Sequence, residues 1–223
     1  MYKILEKHTL NEQVKLMVID APLIAKKAKP GQFIILRVHD MGERIPLTIA
    51  DHDADKGTVT IIFQEVGRTT MSLGKLNEGD SLQDFVGPLG KASHFDAGIK
   101  KAAVIGGGLG TAIAYPQTKE LHSLGIDVTT IAGFRTKQLI ILEDELNAVS
   151  DKVIITTDDG SNGNQGFVTD ALQKEIDAGE KFDLVIAIGP IIMMKFVSQL
   201  TKKYNIPTIV SMNSTMIDGT GMC

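Results

Sequence analysis

The sequence predicts two domains, an N-terminal antiparallel β-barrel followed by a C-terminal α/β domain with a Rossmann-like parallel sheet. Residues 1–97 contain short strand-like runs that are separated by turn residues. Residues 98–210 instead alternate apolar strands with helices, which is the pattern of parallel βαβ units. The polar, glycine-containing connector at residues 94–101, "HFDAGIKK", separates the two patterns. We therefore place the domain boundary there.

The N-terminal half is predicted to consist of short β-strands. The strand-like runs, in order, are YKILEKHTL, VKLMVID, FIILRVHD, PLTIADHD, TVTIIFQEV and DSLQDFVG. Turn-forming residues at 29–31, 55–57 and 78–80 separate them. Short strands at this spacing favour a small antiparallel barrel.

The C-terminal half is predicted to alternate strands and helices. The strands are KAAVIGGG, IDVTTIAGF, KVIITTDD, FDLVIAIG and PTIVSM. The helices are TAIAYPQTKELHSLG, QLIILEDELNAV, VTDALQKEIDAG and PIIMMKFVSQLTKKY. The strands are apolar almost throughout, as expected of a parallel sheet that is covered on both faces and joined by right-handed crossovers.

Composition excludes several classes of function. The formal net charge is −4 and no long basic run occurs, which disfavours nucleic-acid binding. The longest apolar run, "LVIAIGPIIMM", contains Gly-Pro and stops at Lys195, so we expect no membrane span. The N-terminus lacks the pattern of a signal peptide, and the single cysteine excludes an internal disulfide. We expect a cytoplasmic protein without nucleic-acid or membrane partners.

A glycine-rich loop, "VIGGGLGTA", follows a predicted strand and precedes a predicted helix. Its glycines are Gly106, Gly107, Gly108 and Gly110. Glycines allow close approach to a phosphate, and the helix N-terminus offers free N–H groups. The spacing differs from G-x-G-x-x-G because Thr111 stands at the last glycine position, and no acidic residue follows about 20 residues later. The alternative is a turn that only packs the helix on the strand.

Further loops follow the carboxyl ends of the next strands, where open α/β sheets bind ligands. The second strand leads to Arg135, which could hold a 2′-phosphate and favour NADP, or lie in solvent. The third leads to Asp158 and Asp159, which could also be simple turn residues. The fourth leads to Gly189 and Pro190 at a helix start. The two methionines that follow are more typical of core packing than of cofactor contact.

The barrel half carries three ordered segments, "KPGQFIIL", "ERIPLTIAD" and "EVGRTTMSL". Arg44 could hold a pyrophosphate, and Thr48 on the same strand could meet a ring edge. The helix that begins near Gly67 offers a second position at which an anion could bind. The alternatives are a surface ion pair for Arg44 and helix capping for Thr69 and Thr70.

Together these segments resemble the ferredoxin–NADP reductase superfamily. The closer resemblance is to the electron-transfer subunit of dihydroorotate dehydrogenase. Closer still is the small (alpha) subunit of electron-bifurcating NADH-dependent reduced ferredoxin:NADP oxidoreductase, also called a sulfide dehydrogenase subunit. The resemblance is carried by ERIPLTIAD, GGGLGTA, TDDGS, GPIIMM and MIDGTGMC, and extends over essentially all 223 residues.

The resemblance implies that residues 1–97 bind FAD and residues 98–210 bind a nicotinamide dinucleotide. The implied FAD contacts are Arg44, Pro46, Leu47, Thr48 and Ile49, with Gly67, Thr69 and Thr70 on the pyrophosphate. The implied dinucleotide contacts are Gly106, Gly107, Gly108, Gly110 and Thr111, with Asp158, Asp159, Gly189 and Pro190 lining the remainder. Many reductases of the superfamily carry a cysteine where this chain has Ile188.

The function that the resemblance implies is an electron-transfer subunit. Hydride would pass between NAD(H) or NADP(H) and FAD, and the protein would supply orientation rather than a catalytic acid or base. The implied partner is a larger iron–sulfur flavoprotein subunit, with ferredoxin as a further acceptor. Two alternatives stay open. The chain could transfer electrons to a dihydroorotate dehydrogenase catalytic subunit, or it could be an NAD(P)H-sensing module without redox activity.

The last segment, residues 211–223, resembles the start of a 2Fe–2S binding segment. Relatives bind the cluster with a Cys-x4-Cys-x2-Cys run and a later cysteine. The resemblance places Asp218 at the first of these positions and Cys223 at the second. A carboxylate ligand would shift the potential of the cluster. The alternative is a turn aspartate and an unligated thiol. We expect a cluster only if the chain continues past Cys223, and predict that it does.

Overall fold

The computed structural model describes residues 2–213 and Met216. These residues form two compact units that divide between Ser93 and His94. The first unit contains strands β1 to β7 and two short helices. Its elements are β1 (Tyr2–Thr9), β2 (Val14–Asp20), α1 (Pro22–Ala25), β3 (Phe33–Arg37), β4 (Arg44–Asp53), β5 (Thr58–Gln64), α2 (Arg68–Gly74), β6 (Ser81–Leu82) and β7 (Asp84–Leu89).

The first unit is a nearly closed antiparallel barrel, which confirms the predicted fold class. Within the described residues the strand order is β6-β1-β2-β5-β4-β3-β7. The two edge strands, β6 and β7, are separated in the chain by Gln83 alone, and its N–H donates to the Arg37 carbonyl at 3.0 Å. The run predicted as one strand, DSLQDFVG, is thus divided between the two edges, and this division brings them together.

The barrel interior is apolar and anchors the short helix α2. Side chains from every long strand meet in one buried cluster that includes Ile4, Met17, Leu36, Phe63 and Phe85. The helix is fixed at its C-terminal end because the Lys7 ammonium donates to the carbonyls of Gly74 and Leu76, at 2.6 and 2.7 Å. These bonds satisfy carbonyl groups that a helix end leaves unpaired.

The second unit is a parallel sheet with helices on both faces, again as predicted. Its strands, in the described range, are ordered β10-β9-β8-β11-β12 and all pairs are parallel. The elements are β8 (Lys101–Gly107), α3 (Gly110–Ser123), β9 (Asp127–Phe134), a 3₁₀ turn (Lys137–Leu139), α4 (Glu143–Ala148), β10 (Lys152–Thr157), α5 (Val168–Asp177), β11 (Leu184–Ile188), α6 (Ile191–Lys203) and β12 (Thr208–Val210).

The predicted helix over QLIILEDELNAV is only partly present. The segment starts with the 3₁₀ turn, becomes extended at Ile140, and resumes as α4 only after Leu142, which has a left-handed φ of 59°. Ile141 and Leu142 are almost fully buried, at 3 % and 6 % exposure. The burial of this apolar pair determines the backbone path, overriding the helical pattern of the sequence. None of the helices within residues 2–213 combines the length and apolarity needed to cross a bilayer.

Candidate functional site

The sheet of the second unit has a topological switch point between β8 and β11. The two strands are parallel neighbours, but the chain leaves β8 through α3 and leaves β11 through α6. Helix α3 packs with Ala102 and Val104 on one face of the sheet, whereas α6 packs with Ala103 and Ile105 on the other. A crevice at the carboxyl ends of the strands is expected at such a point.

The loops that leave the two strands contact each other through glycine backbone. We call residues 107–110 and 189–190 the switch-point loops. A Cβ on Gly110 would overlap the Ile188 carbonyl oxygen and lie 2.8 Å from the Gly189 Cα. A Cβ on Gly189 would lie 3.1 Å from the Gly107 Cα and N. Side chains are excluded from this contact, so the glycines predicted from the sequence serve a close backbone approach.

One side of the switch-point loops is open. Gly108 has a left-handed φ of 55° and nothing within 4 Å of a Cβ built there. Its N–H donates to the Gly133 carbonyl at 2.8 Å, which fixes the loop to β9. Helix α3 starts directly afterwards, and a helix N-terminus favours an anion. This open glycine before a helix start fits the pyrophosphate of the dinucleotide that the resemblance implies.

Thr111 and Ile188 are buried next to the switch-point loops. The Thr111 hydroxyl is fully buried, sits against the Cα of Gly106, and finds no hydrogen-bond partner among the described residues. Ile188, at the position where relatives carry cysteine, is 3 % exposed and packs in the core under α3. Thr111 therefore supports the Gly106 backbone from below, and Ile188 supports the sheet.

The loops after β9 and β10 are joined by a hydrogen-bonded chain. The Lys137 N–H donates to the Ser161 hydroxyl at 2.7 Å, and that hydroxyl donates to the Asp159 carboxylate at 2.6 Å. The bond from Ser161 lowers the pKa of Asp159 below its ordinary value. The Asp159 N–H also donates to the Arg135 carbonyl, at 3.3 Å. Arg135 is exposed, and the Asp158 N–H bonds to the end of β9.

Asparagine side chains hold the longer of these loops against the edge of the sheet. The side-chain amides of Asn162 and Asn164 both donate to the Ile155 carbonyl on β10, each at 2.9 Å. Asn162 also accepts the Thr157 hydroxyl at 2.8 Å. These bonds fix the polar run "SNGNQG" at the carboxyl end of β10.

A groove with a cavity volume of about 90 Å³ lies between β10 and α5. Its lining includes Thr156, Gln165, Phe167 and Asp170. The Phe167 ring is 64 % exposed, whereas the Thr156 hydroxyl is buried without a partner among the described residues. An exposed aromatic ring beside polar groups is a suitable surface for a planar heterocycle. Phe167 was not predicted as a site residue, because its position directly before a helix indicates only a helix start.

In the barrel, Arg44 belongs to a row of charges across three strands. Arg44 and Asp84 both lie opposite Arg37 in the strand register. The Asp84 carboxylate accepts the Arg37 Nε–H at 2.6 Å and lies 3.4 Å from the Arg44 Nη2. The Arg37 bond lowers the pKa of Asp84, and the charge of Arg44 adds to this effect. The Arg44 side chain stays 49 % exposed, so its guanidinium has room for a further anion.

The first turn of α2 lies beside this row. The Thr69 hydroxyl donates to Glu43, the residue before Arg44, at 3.0 Å. The Thr70 hydroxyl accepts the Gly67 N–H at 3.0 Å and thus caps the helix, as the alternative interpretation proposed. Nothing lies within 4 Å of a Cβ built on Gly67. An exposed guanidinium beside an open helix start fits a pyrophosphate group.

The other predicted flavin residues differ in accessibility along β4. Pro46 is exposed, and Leu47 and Thr48 are half-buried. Ile49 is 1 % exposed and belongs to the barrel core. A ligand on this strand would therefore reach the Ile49 backbone but not its side chain.

The predicted metal ligands Asp218 and Cys223 lie outside the described residues. Among the residues that the structure describes, no group of three or more His, Cys, Asp or Glu side chains is arranged to hold a metal ion.

Comparisons with known proteins agree on a family. No family model matches the chain. A "Dihydroorotate dehydrogenase B (NAD(+)), electron transfer subunit homolog" from Thermotoga maritima is 43 % identical over 221 residues, covering 99 % of this chain and 77 % of the relative. An uncharacterized Clostridium beijerinckii protein is 50 % identical, covering 100 % of this chain and 78 % of the relative. A solved structure of NADH-dependent reduced ferredoxin-NADP oxidoreductase, described in the context of flavin-based electron bifurcation, is 42 % identical with a TM-score of 0.92, covering 100 % of this chain and 80 % of that one.

Proposed function

Because the chain belongs to the family of dihydroorotate dehydrogenase B electron-transfer subunits and their homologues, we propose that it passes electrons between NADH and a partner redox subunit through FAD. The observation that carries the proposal is the pair of switch-point loops. They combine an open glycine, a helix N-terminus and a close backbone contact at the point where open α/β sheets bind nucleotides.

The nicotinamide dinucleotide is held by three loops of the second unit. The pyrophosphate lies on Gly108 and the N-terminus of α3, where the N–H groups and the helix dipole neutralise its charge. The adenine stacks on the exposed Phe167 ring. Gly189 and Pro190 close the crevice from the other strand.

NADH is the favoured form of the dinucleotide. Asp158 and Asp159 bond through their N–H groups to the end of β9, so both acidic residues are near Arg135. Carboxylates attract the ribose 2′-hydroxyl and repel a 2′-phosphate, which offsets the attraction of Arg135 for that phosphate. The name of the Thermotoga maritima relative also specifies NAD(+). NADPH, favoured by Arg135 alone, is the second candidate.

FAD is held by the barrel. The exposed Arg44 guanidinium and the open start of α2 at Gly67 bind its pyrophosphate, and Pro46, Leu47 and Thr48 line the approach along β4. Bound FAD would accept hydride from the nicotinamide and release electrons one at a time. The protein orients the two cofactors, excludes water and stabilises their phosphates, and no side chain is required as a proton donor.

The partner is a larger iron–sulfur flavoprotein subunit, as the resemblance to the small subunit of the bifurcating oxidoreductases implies. A dihydroorotate dehydrogenase catalytic subunit is the second candidate, supported by the name of the Thermotoga maritima relative. Ferredoxin is a further acceptor. The predicted cytoplasmic location and the predicted 2Fe–2S cluster, which requires a chain that continues past Cys223, are part of the same proposal.

Affinity purification from the native host, followed by flavin and iron analysis, tests the proposal. We expect FAD in the complex and copurification of a large iron–sulfur flavoprotein. Copurification of a dihydroorotate-oxidising subunit would select the second partner. A purified chain that takes up no FAD on reconstitution would contradict the proposal.

A further inference from the structure

The side chain of Met193 lies across both switch-point loops. A Cβ built on Gly107 would lie 2.5 Å from the Met193 Sδ, and a Cβ built on Gly189 would lie 2.9 Å from the Met193 Cε. The thioether therefore fills the space that a side chain on either glycine would need. The loop from β8 and the loop from β11 are both in contact with this one side chain.

Helix geometry explains how Met193 reaches the loops. Helix α6 begins at Ile191, which places Met193 in its first turn. Helical side chains lean toward the N-terminus, so this one extends back over Pro190 and the loop that precedes the helix. The neighbouring Met194 is 5 % exposed and lies within the core between α6 and the sheet, whereas Met193 is partly buried and packs on the border of the same core. The two adjacent methionines thus differ in burial, and the contacts with the glycines of both switch-point loops are those of Met193.

We propose that Met193 is a positioning residue for the nicotinamide dinucleotide, an inference that rests on the proposed function. Its unbranched thioether fits the irregular gap between two glycine backbones, which a branched side chain fills poorly. By occupying that gap it fixes the separation of Gly107 from Gly189. That separation sets where Gly108 and the start of α3 meet the pyrophosphate. Met193 acts through the backbone of the loops and does not need to touch the ligand.

The first test compares Met193→Ala with Met194→Ala in the FAD-loaded full chain. NAD⁺ is titrated by calorimetry, since it binds without reducing the flavin. We expect Met193→Ala to raise the NAD⁺ Kd about tenfold, because misplaced binding groups lose affinity steeply. We expect Met194→Ala to lower Tm, because a core cavity forms, while the Kd changes less than about twofold. Anaerobic reduction by NADH should show a higher half-saturating concentration for Met193→Ala with a nearly unchanged limiting rate.

A pair of compensating substitutions tests the contact between Met193 and Gly107 specifically. Gly107→Ala places a methyl group against the Met193 sulfur and 3.0 Å from the Pro190 Cδ, so it should weaken NAD⁺ binding by itself. Gly107→Ala combined with Met193→Ala removes the sulfur that the methyl would strike. We expect the double variant to bind NAD⁺ more tightly than Gly107→Ala alone. Met193→Leu, which conserves volume, should fold normally and show an intermediate Kd.

Several results would overturn the inference. Equal effects of Met193→Ala and Met194→Ala on the NAD⁺ Kd would mean that Met193 is ordinary core packing. An unchanged NAD⁺ Kd in Met193→Ala would also mean that Met193 does not position the dinucleotide. The same conclusion would follow if the losses of NAD⁺ affinity from Gly107→Ala and Met193→Ala simply added in the double variant. If the unaltered FAD-loaded chain neither binds NAD⁺ nor is reduced by NADH, the proposed function fails instead.

Discussion

Gly110 lies directly against the carbonyl oxygen of Ile188, so that a Cβ at residue 110 would overlap this oxygen. The contact joins the first residue of α3 to the last residue of β11. Both partners are backbone, so neither can move aside by changing a rotamer. The two switch-point loops consequently form one unit, which holds the N-terminal end of α3 in a fixed place at the carboxyl ends of β8 and β11.

Gly110→Ala should therefore destabilise the protein by about 2 kcal/mol or more, since the new methyl group can be accommodated only by a backbone shift. Urea denaturation monitored by circular dichroism measures this change. Gly98→Ala is the matched control, because Gly98 is exposed and nothing lies within 4 Å of its built Cβ. Equal stability of the two variants would show that the backbone at Ile188 can accommodate a methyl group on residue 110.

Phe167→Ala should weaken dinucleotide binding by about tenfold, because loss of base stacking on an aromatic ring costs roughly 1–3 kcal/mol. Calorimetric titration with NAD⁺ measures the change. Phe196→Ala is the control, since Phe196 on α6 has a similar exposure of 52 %. A similar loss in both variants would point to a general effect of removing a surface aromatic ring.

Arg44→Ala should raise the Kd for FAD about tenfold or more, because a charge-assisted contact to phosphate contributes roughly 1.5–3 kcal/mol. Fluorescence titration of the FAD-free chain gives the value. Lys56→Ala controls for loss of positive charge in the barrel, since the Lys56 side chain is 79 % exposed and pairs only with Asp53 among the described contacts. Unchanged FAD binding in Arg44→Ala would remove Arg44 from the site.

The sequence predicted both domains and the position of the glycine loops. These features depend on local periodicity and on glycines at strand ends, both of which can be read from the sequence alone. The contact of Gly110 with Ile188 was not predictable, because it joins segments that are far apart in the chain. Met193 was interpreted as core packing, and it does pack against the core, but its contact with Gly107 joins distant segments and was not predictable.

The sequence pattern also predicted the wrong backbone conformation at a place where burial of side chains determines that conformation. The segment at Leu142 has helical periodicity, but burial of the Ile141–Leu142 pair breaks the helix there. The resemblance implies a dinucleotide contact for Thr111, which stays a prediction, and the fold adds that the Thr111 hydroxyl is buried next to Gly106. Phe167 gave no sequence signal because exposure of an aromatic ring is a property of the folded surface.

Stability at acid pH should depend on Asp183. Its carboxylate accepts the N–H groups of Lys100 and Lys101 at 2.9 and 3.0 Å, and the Lys100 bond most strongly lowers the pKa of Asp183. A carboxyl whose pKa is lower in the folded state stabilises the fold above its unfolded pKa of about 3.9, and this contribution is lost as pH falls through the folded value.

Asp183→Asn keeps an acceptor oxygen but cannot be protonated, so its loss of stability between about pH 5 and pH 3 should be shallower than that of the unaltered chain. The urea midpoint, measured across this range, provides the comparison. Asp55→Asn, at an exposed loop position, should retain the original slope. Parallel pH profiles for all three proteins would exclude Asp183 as a contributor.

Anaerobic addition of NADH to the FAD-reconstituted chain tests directly whether the protein passes hydride from the dinucleotide to the flavin. Rapid mixing records the visible flavin absorbance over time. We predict that one equivalent of NADH bleaches the flavin, because the dinucleotide held at the switch-point loops donates hydride to the FAD held by the barrel. If NADH binds but the flavin stays oxidised, the chain does not transfer electrons and is a nucleotide-sensing module.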